Sequence, residues 1–198
     1  RLFISSSSSV YGDLKKFPFK ENFNLQPNNV YSLSKKFNED LSKSYSNFYN
    51  LNVTALRFFT VYGEWGRPDM FIMKFINSAN NKKIFLLNNH GNHYRDFTYI
   101  NDVTKILYKL LKKKYKNNYE VFNICGNHPI KILSVVKKLK YLLGKVKIQN
   151  VKKHKADVYK TQGSNKKLTN AIGKINFTSL DEGLKNVLNW YNLYYKNN

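Results

Sequence analysis

Carboxylates are scarce in this chain: 12 acidic side chains stand against 34 basic ones, for a formal net charge of +22. Such an excess suits nucleic acid or an anionic membrane surface. The lysines are nevertheless scattered in short clusters (112–114, 137–138, 152–153 and 166–167), mixed with asparagine and accompanied by no nucleic-acid-binding signature. The expectation is therefore a solvated cationic surface, with no nucleic acid and no membrane as partner. Cysteine is almost absent. The one thiol, Cys125, ends the apolar run Val121-Phe122-Asn123-Ile124, has no mate for an internal disulfide, and reads as a buried thiol in a reducing cytoplasm. No stretch approaches the roughly 20 apolar residues of a membrane span, and no signal-peptide pattern opens the sequence. Internal repeats, metal-ligand spacings and a Cys/His nucleophile pair are also missing, which leaves thiol and metal chemistry without candidates.

What is present suits a globular core: 42% hydrophobic and 16% aromatic residues. Leu2-Phe3-Ile4 reads as a buried strand, and Ser5 to Gly12 as a hydroxyl-rich loop leaving its C-terminal edge, where open α/β sheets bind ligands. Residues 13–28, with Pro18 and Pro27, read as a surface loop. Asn28 or Asn29 is placed to cap a helix, on which Val30, Leu33, Phe37, Leu41 and Phe48 recur as the stripe expected to pack on the sheet. Asn52 to Val61 reads as a second buried strand and Val121 to Cys125 as another. Asp102 is expected to N-cap or complement the dipole of a helix through Val103, Ile106, Leu107, Leu110 and Leu111. Ile132 to Leu143 reads as a helix, and Ser179-Leu180-Asp181-Glu182 as a capping box for a last amphipathic helix carrying Leu184, Val187, Leu188, Tyr191 and Tyr195.

Tyr31 and Lys35 stand four apart at the start of the first helix, so phenol and ammonium share a face. A fixed cation beside a phenol favours its phenolate form, which makes the pair a candidate proton-transfer device. Four further blocks accompany it: Ser5 to Gly12 (S-S-S-S-S-V-Y-G), Leu56 to Gly63 (L-R-F-F-T-V-Y-G), Trp65 to Met70 (W-G-R-P-D-M) and Arg95 to Asp102 (R-D-F-T-Y-I-N-D). Together they resemble the extended short-chain dehydrogenase/reductase family of NAD-dependent nucleotide-sugar epimerases and dehydratases. The resemblance runs from Phe3 to about Tyr195 and is greatest to the UDP-glucuronate 4-epimerases.

That resemblance implies an α/β fold: the C-terminal part of a Rossmann-like doubly wound parallel sheet plus a smaller α/β substrate-binding domain. Residues 1–63 would belong to the former and 64–198 mainly to the latter, with about 92–125 returning to the Rossmann domain. It implies NAD as cofactor, a UDP-sugar as substrate and a homodimer when full length. Ser7, Tyr31 and Lys35 match the catalytic positions, with Tyr31, Lys35, Phe58 and Phe59 beside the cofactor. Ser8, Ser9, Thr60, Arg67, Arg95 and Asp157 match substrate contacts. Thr60 is placed to hold a sugar carboxylate, and the arginines suit a diphosphate. Ser8-Ser9 stand where dehydratases carry Asp-Glu and decarboxylases Glu, which favours an epimerase; UDP-glucose or N-acetylhexosamine epimerases, and a non-catalytic UDP-sugar binder, stay open. Glu64 replaces the usual proline of Y-G-P, and a less stiff loop is the expectation. No G-x-x-G-x-x-G turn occurs, so the chain reads as a fragment, inactive alone, with an exposed apolar strand edge.

Overall fold

The computed structural model describes residues 1–152 and 158–196. Strand β1 (Leu2–Ser7) leads through a 3₁₀ turn (Ser8–Tyr11) and a long loop to helix α1 (Val30–Tyr49) and strand β2 (Val53–Phe58). Then come β3 (Thr60–Tyr62), α2 (Phe71–Asn80), β4 (Phe85–Asn88), β5 (Tyr94–Tyr99), α3 (Ile100–Lys112) and β6 (Tyr119–Ile124). The chain continues with β7 (Pro129–Lys131), α4 (Ile132–Leu143), β8 (Ile148–Val151), α5 (Lys166–Ile172) and α6 (Leu180–Lys196).

Three sheets result: β1-β2-β6, all parallel; β3-β5-β7, with β7 antiparallel; and a parallel β4-β8 pair. Parallel neighbours joined through helices are the α/β arrangement of a Rossmann-like fold. In the first sheet, strand alternation separates two surfaces. Leu56, Phe122 and Ile124 pack under α3 and α5 with Val103, Ile106, Leu110 and Leu168. Ser6, Arg57 and Asn123, which lie in register across the three strands, form a polar row on the other side. A second core, including Phe75, Ile76, Phe85, Leu139, Leu184 and Val187, joins α2, α4 and α6 to the other two sheets. Each such side chain stabilises the fold by about 1.5–3 kcal/mol when fully buried.

Several expectations are corrected here. The α1 stripe faces outward: Val30, Leu33, Phe37, Leu41 and Phe48 are all exposed, and the residues α1 buries are Ser32, Glu39 and Ser46. The polar row beneath the helix explains the reversal, since an apolar stripe laid on Arg57 would strand its charge. β1 runs on through Ser7 and is the sheet's edge, paired only with β2 among the described residues, so Leu2 is exposed and Phe3 and Ile4 half-buried. Residues 13–28 are not simply a surface loop, because Phe19 is fully buried and bridges to Gly163, with Phe17, Phe23 and Leu25 packed around it. Asn52 to Val61 divides at Phe59 into β2 and β3, which belong to different sheets. Of the two roles expected for Asp102, N-capping falls to the position of Tyr99, while Asp102 lies in the first turn of α3 as dipole complementation requires, and its carboxylate accepts from the Thr178 amide at 2.7 Å and hydroxyl at 3.0 Å. Tyr195 is exposed on α6.

Between the C-terminal ends of α2 and α4 lies a cleft of about 890 Å³ lined by Lys82, Lys83, Lys140, Lys145 and Lys147 and, among the described residues, by no carboxylate. No acidic residue occurs between Asp69 and Asp96, or between Glu120 and Asp157. No helix among the described residues is long and apolar enough to cross a membrane.

Candidate active site

Asn29 fixes where α1 begins. Its side-chain oxygen accepts from the Ser32 amide at 2.8 Å, and the Ser32 hydroxyl accepts from the Asn29 amide at 3.1 Å, a reciprocal cap. Tyr31 therefore sits in the first turn, 55% exposed, with Lys35 one turn on. The Lys35 ammonium donates to the Ser5 carbonyl at 2.9 Å and stands 5.8 Å from the centre of the Tyr31 ring. That bond ties the helix to the end of β1. Ser7 caps the 3₁₀ turn that follows, accepting from the Ser9 amide at 3.2 Å and hydroxyl at 3.0 Å, which leaves its own O–H to donate. Gly12 closes this turn at φ +67, and a Cβ there would stand 1.9 Å from the Gln26 carbonyl oxygen, so the V-Y-G glycine is a steric requirement.

Thr60 and Arg67 line a cavity of about 190 Å³ with Gly66, Met70, Met73 and Phe97. The exposed Arg67 guanidinium forks onto Asp69, Nε to Oδ1 at 3.1 Å and Nη2 to Oδ2 at 2.6 Å. This bond, then the Asp69 charge, raises its pKa. Arg95 is turned to backbone carbonyls, Tyr94 at 2.8 Å and Val158 at 3.0 Å, and does not line the cavity. Phe58 is half-buried against the α3 core, and Phe59 is buried with Tyr11, Phe19 and Cys125. Ser8 and Ser9 are half-buried, and Asp157 lies outside the described residues.

The loop after β3 is held by side-chain contacts. Tyr99 donates to Glu64 at 2.5 Å, and Trp65, held at φ +58, packs its ring 4.6 Å from Tyr194 and 5.1 Å from Trp190. Glu64 thus links the loop that carries Arg67 to Tyr99 of β5.

Sequence reasoning missed a buried ion pair. Arg57 and Glu39, each 4% exposed at the side chain, form a two-bond pair, Nε to Oε1 at 2.9 Å and Nη2 to Oε2 at 2.7 Å. Ser6 donates its hydroxyl to the same carboxylate, Arg57 donates to the Tyr11 phenol at 2.9 Å, and Tyr11 donates to Asn123 at 2.7 Å. Burial pushes Tyr11 up to about 12, so it stays a neutral donor; burial pulls the Arg57 guanidinium down, but its bonds to Glu39 and Tyr11 leave it raised overall. The available signal was a Glu eight residues after Tyr31 and four after Lys35, on the same helical face.

Asp96, in the R-D-F-T-Y-I block, is fully buried and accepts from the amides of Gly163 at 3.0 Å and His128 at 3.4 Å. Burial outweighs those bonds and raises its pKa from 3.8 to about 6. The folded state therefore binds the proton more tightly than the unfolded one. Its stabilising effect is complete below about pH 4 and is lost as the pH rises through about 6. Relative to Asp96→Asn, whose side chain does not titrate, wild type should lose on the order of 2–3 kcal/mol between pH 4 and 7. Urea unfolding of both proteins across that range measures it, and a pH-independent difference would count against the assignment.

Residues 1–125 match the family model described as the NAD dependent epimerase/dehydratase family. Protein CapI of Staphylococcus aureus is 36% identical over 213 residues, 98% of this chain and 64% of that protein. UDP-glucuronate 4-epimerase of Thermodesulfobacterium geofontis is 36% identical over 193 residues, 96% of this chain and 58% of that one. Among solved structures, UDP-glucuronic acid 4-epimerase from Bacillus cereus, in complex with UDP-glucuronic acid and NAD, superposes with a TM-score of 0.91 at 29% identity. It is matched over 97% of this chain and 62% of its own. The chain thus spans about three-fifths of these relatives, and with more than half of its length matched by the family model, it belongs to the NAD-dependent epimerase/dehydratase family.

Proposed function

We propose that this chain is the catalytic and sugar-nucleotide-binding part of an NAD-dependent nucleotide-sugar epimerase, and more narrowly a UDP-glucuronate 4-epimerase. The reading is carried by one observation: Lys35 is bonded to Ser5 on the strand whose end bears Ser7, and Tyr31 stands one turn before it on the same helical face, while Thr60 and Arg67 line a cavity. The solved relative holding UDP-glucuronic acid and NAD supports it.

The donor set fits the nicotinamide-riboside end of NAD. Lys35 spends one N–H on Ser5 and keeps two for a ribose diol, beside a half-exposed phenol. Bound there, NAD supplies a hydride acceptor that later returns the hydride. Tyr31 takes the proton of the sugar C4 hydroxyl, which Ser7 orients through its free O–H, and gives a proton back after the 4-keto sugar has turned over in the site. Thr60 holds the uronate carboxylate, and Arg67 exchanges Asp69 for the diphosphate. The dehydratase alternative is disfavoured because Ser8 and Ser9 supply no carboxyl group to expel water. We infer also that turnover needs a dinucleotide-binding half, since no Gly-rich turn for the pyrophosphate occurs in these 198 residues.

Two variants test the cavity. Thr60→Ala should lose more kcat/KM with UDP-glucuronate than with UDP-glucose, while Arg67→Ala should weaken UDP binding about tenfold whichever sugar is attached. Equal losses on both sugars would remove Thr60 from carboxylate recognition, and unchanged UDP affinity would remove Arg67.

The outward stripe of α1 supports a homodimer, since a two-fold axis along it sets each apolar face against its copy. Phe37→Glu should then sediment as a monomer where wild type is a dimer; a monomeric wild type would sink that part of the reading. The lone buried thiol, Cys125, supports a reducing compartment such as the cytoplasm.

A further inference from the structure

A helix normally finds its position on a sheet by seating large side chains between those of the strands. α1 has none to seat, because its large apolar residues face outward and its sheet side buries only Ser32, Glu39 and Ser46. Small and polar contacts resist sliding poorly. What fixes the middle of the helix is one carboxylate. Glu39 receives Arg57 of β2 through two bonds and the hydroxyl of Ser6 in β1, next to Ser7. Its own carbonyl accepts from the Tyr119 phenol of β6 at 3.3 Å, so all three strands of the sheet are held. Tyr31, Lys35 and Glu39 are spaced by four and lie on one face, so a shift of Glu39 carries the other two with it.

We propose that Glu39 is a positioning residue: through Arg57 and Ser6 it sets the axial register of α1, and so where Tyr31 and Lys35 stand relative to Ser7. The geometric part stands on the fold alone, whereas its effect on turnover rests on the function proposed above. A bidentate pair is directional, which suits this task better than a single ammonium would. Shortening the acid by one methylene keeps the charge and moves the anchor, so register and charge can be separated.

The test uses this chain labelled with 3-fluorotyrosine, its Tyr31 ¹⁹F resonance assigned by loss of the signal in Tyr31→Phe. In Glu39→Asp, and in Arg57→Lys should the first fold poorly, the Tyr31 resonance should move by more than its linewidth while those of Tyr62 and Tyr191, in the other core, stay. Ser6→Ala, which removes one bond to the same carboxylate, should give a smaller displacement in the same direction. Lys138→Met, which breaks the Lys138–Asp181 pair far along the chain, should move nothing at Tyr31. In protein that also carries a dinucleotide-binding half, Glu39→Asp should lower kcat by about tenfold or more and leave KM within about twofold, because misplacement by about 1 Å is enough for such a loss. A folded Glu39→Asp or Arg57→Lys with an unmoved Tyr31 resonance overturns the proposal, and so does full kcat with the resonance displaced. The resonance needs no turnover, so a wild type that converts no sugar nucleotide counts against the function and not against the register.

Discussion

Tyr31→Phe should lower turnover by about 10²–10⁴-fold, the usual worth of a positioned acid–base group, and leave UDP-sugar affinity unchanged. The assay is conversion of UDP-glucuronate in protein that also carries a dinucleotide-binding half. The phenol is half exposed at the first turn of α1, where no hydrogen bond among the described residues runs through its hydroxyl, so removing the oxygen costs the fold little. The Asn29 cap and the Lys35 bond to Ser5 do not involve the ring and keep the helix start in place. Binding and chemistry are thereby separated: the nucleotide is assigned to Arg67 and the cavity floor, the proton to Tyr31. Turnover by Tyr31→Phe at the wild-type rate would remove the central residue of the proposed mechanism.

Arg57→Met should destabilise the fold by about 3–5 kcal/mol in urea unfolding, because it leaves Glu39 charged, buried and without its partner. A loss of that size is a large share of the 5–15 kcal/mol by which domains are usually stable. Pairing Arg57→Met with Glu39→Met should recover much of it, since two apolar side chains of similar volume replace two desolvated charges. Tyr11 and Ser6 would keep some polar demand in the site, so recovery should be partial. If the single variant proves as stable as wild type, the pair is not the anchor that its burial indicates.

Local signals were read well from the sequence. The helix over Ile132–Leu143 came out at its observed bounds, and Asn29 does cap α1. These depend on neighbours in the chain, which a sequence displays. The face of α1 was read inside out because periodicity reports that a stripe exists and not which surface it meets. Here the sheet offers Ser6, Arg57 and Asn123, a row that only the strand register brings together. Phe19 stands in a mostly polar stretch, and the residues that bury it, Val10, Tyr11, Phe59 and Cys125, come from elsewhere in the chain. In the candidate site, Tyr31 and Lys35 were legible because four residues make one helical turn. The Glu39–Arg57 pair was not, because an ion pair between a helix and the following strand exists only once both have docked.

The lysine cleft at the far ends of α2 and α4 bears on how fast ligand arrives rather than on how tightly it is held. α2 is 10 residues long, so the cleft lies roughly 15 Å from the cavity at the helix's other end. Near physiological salt a charge is felt over about 8 Å, and over about 30 Å when salt is dilute. A net charge of +22, with five lysines around the cleft, would attract an anion before contact. Encounter should therefore be quick in dilute buffer and slow steeply as salt is added, with little change in the rate of release.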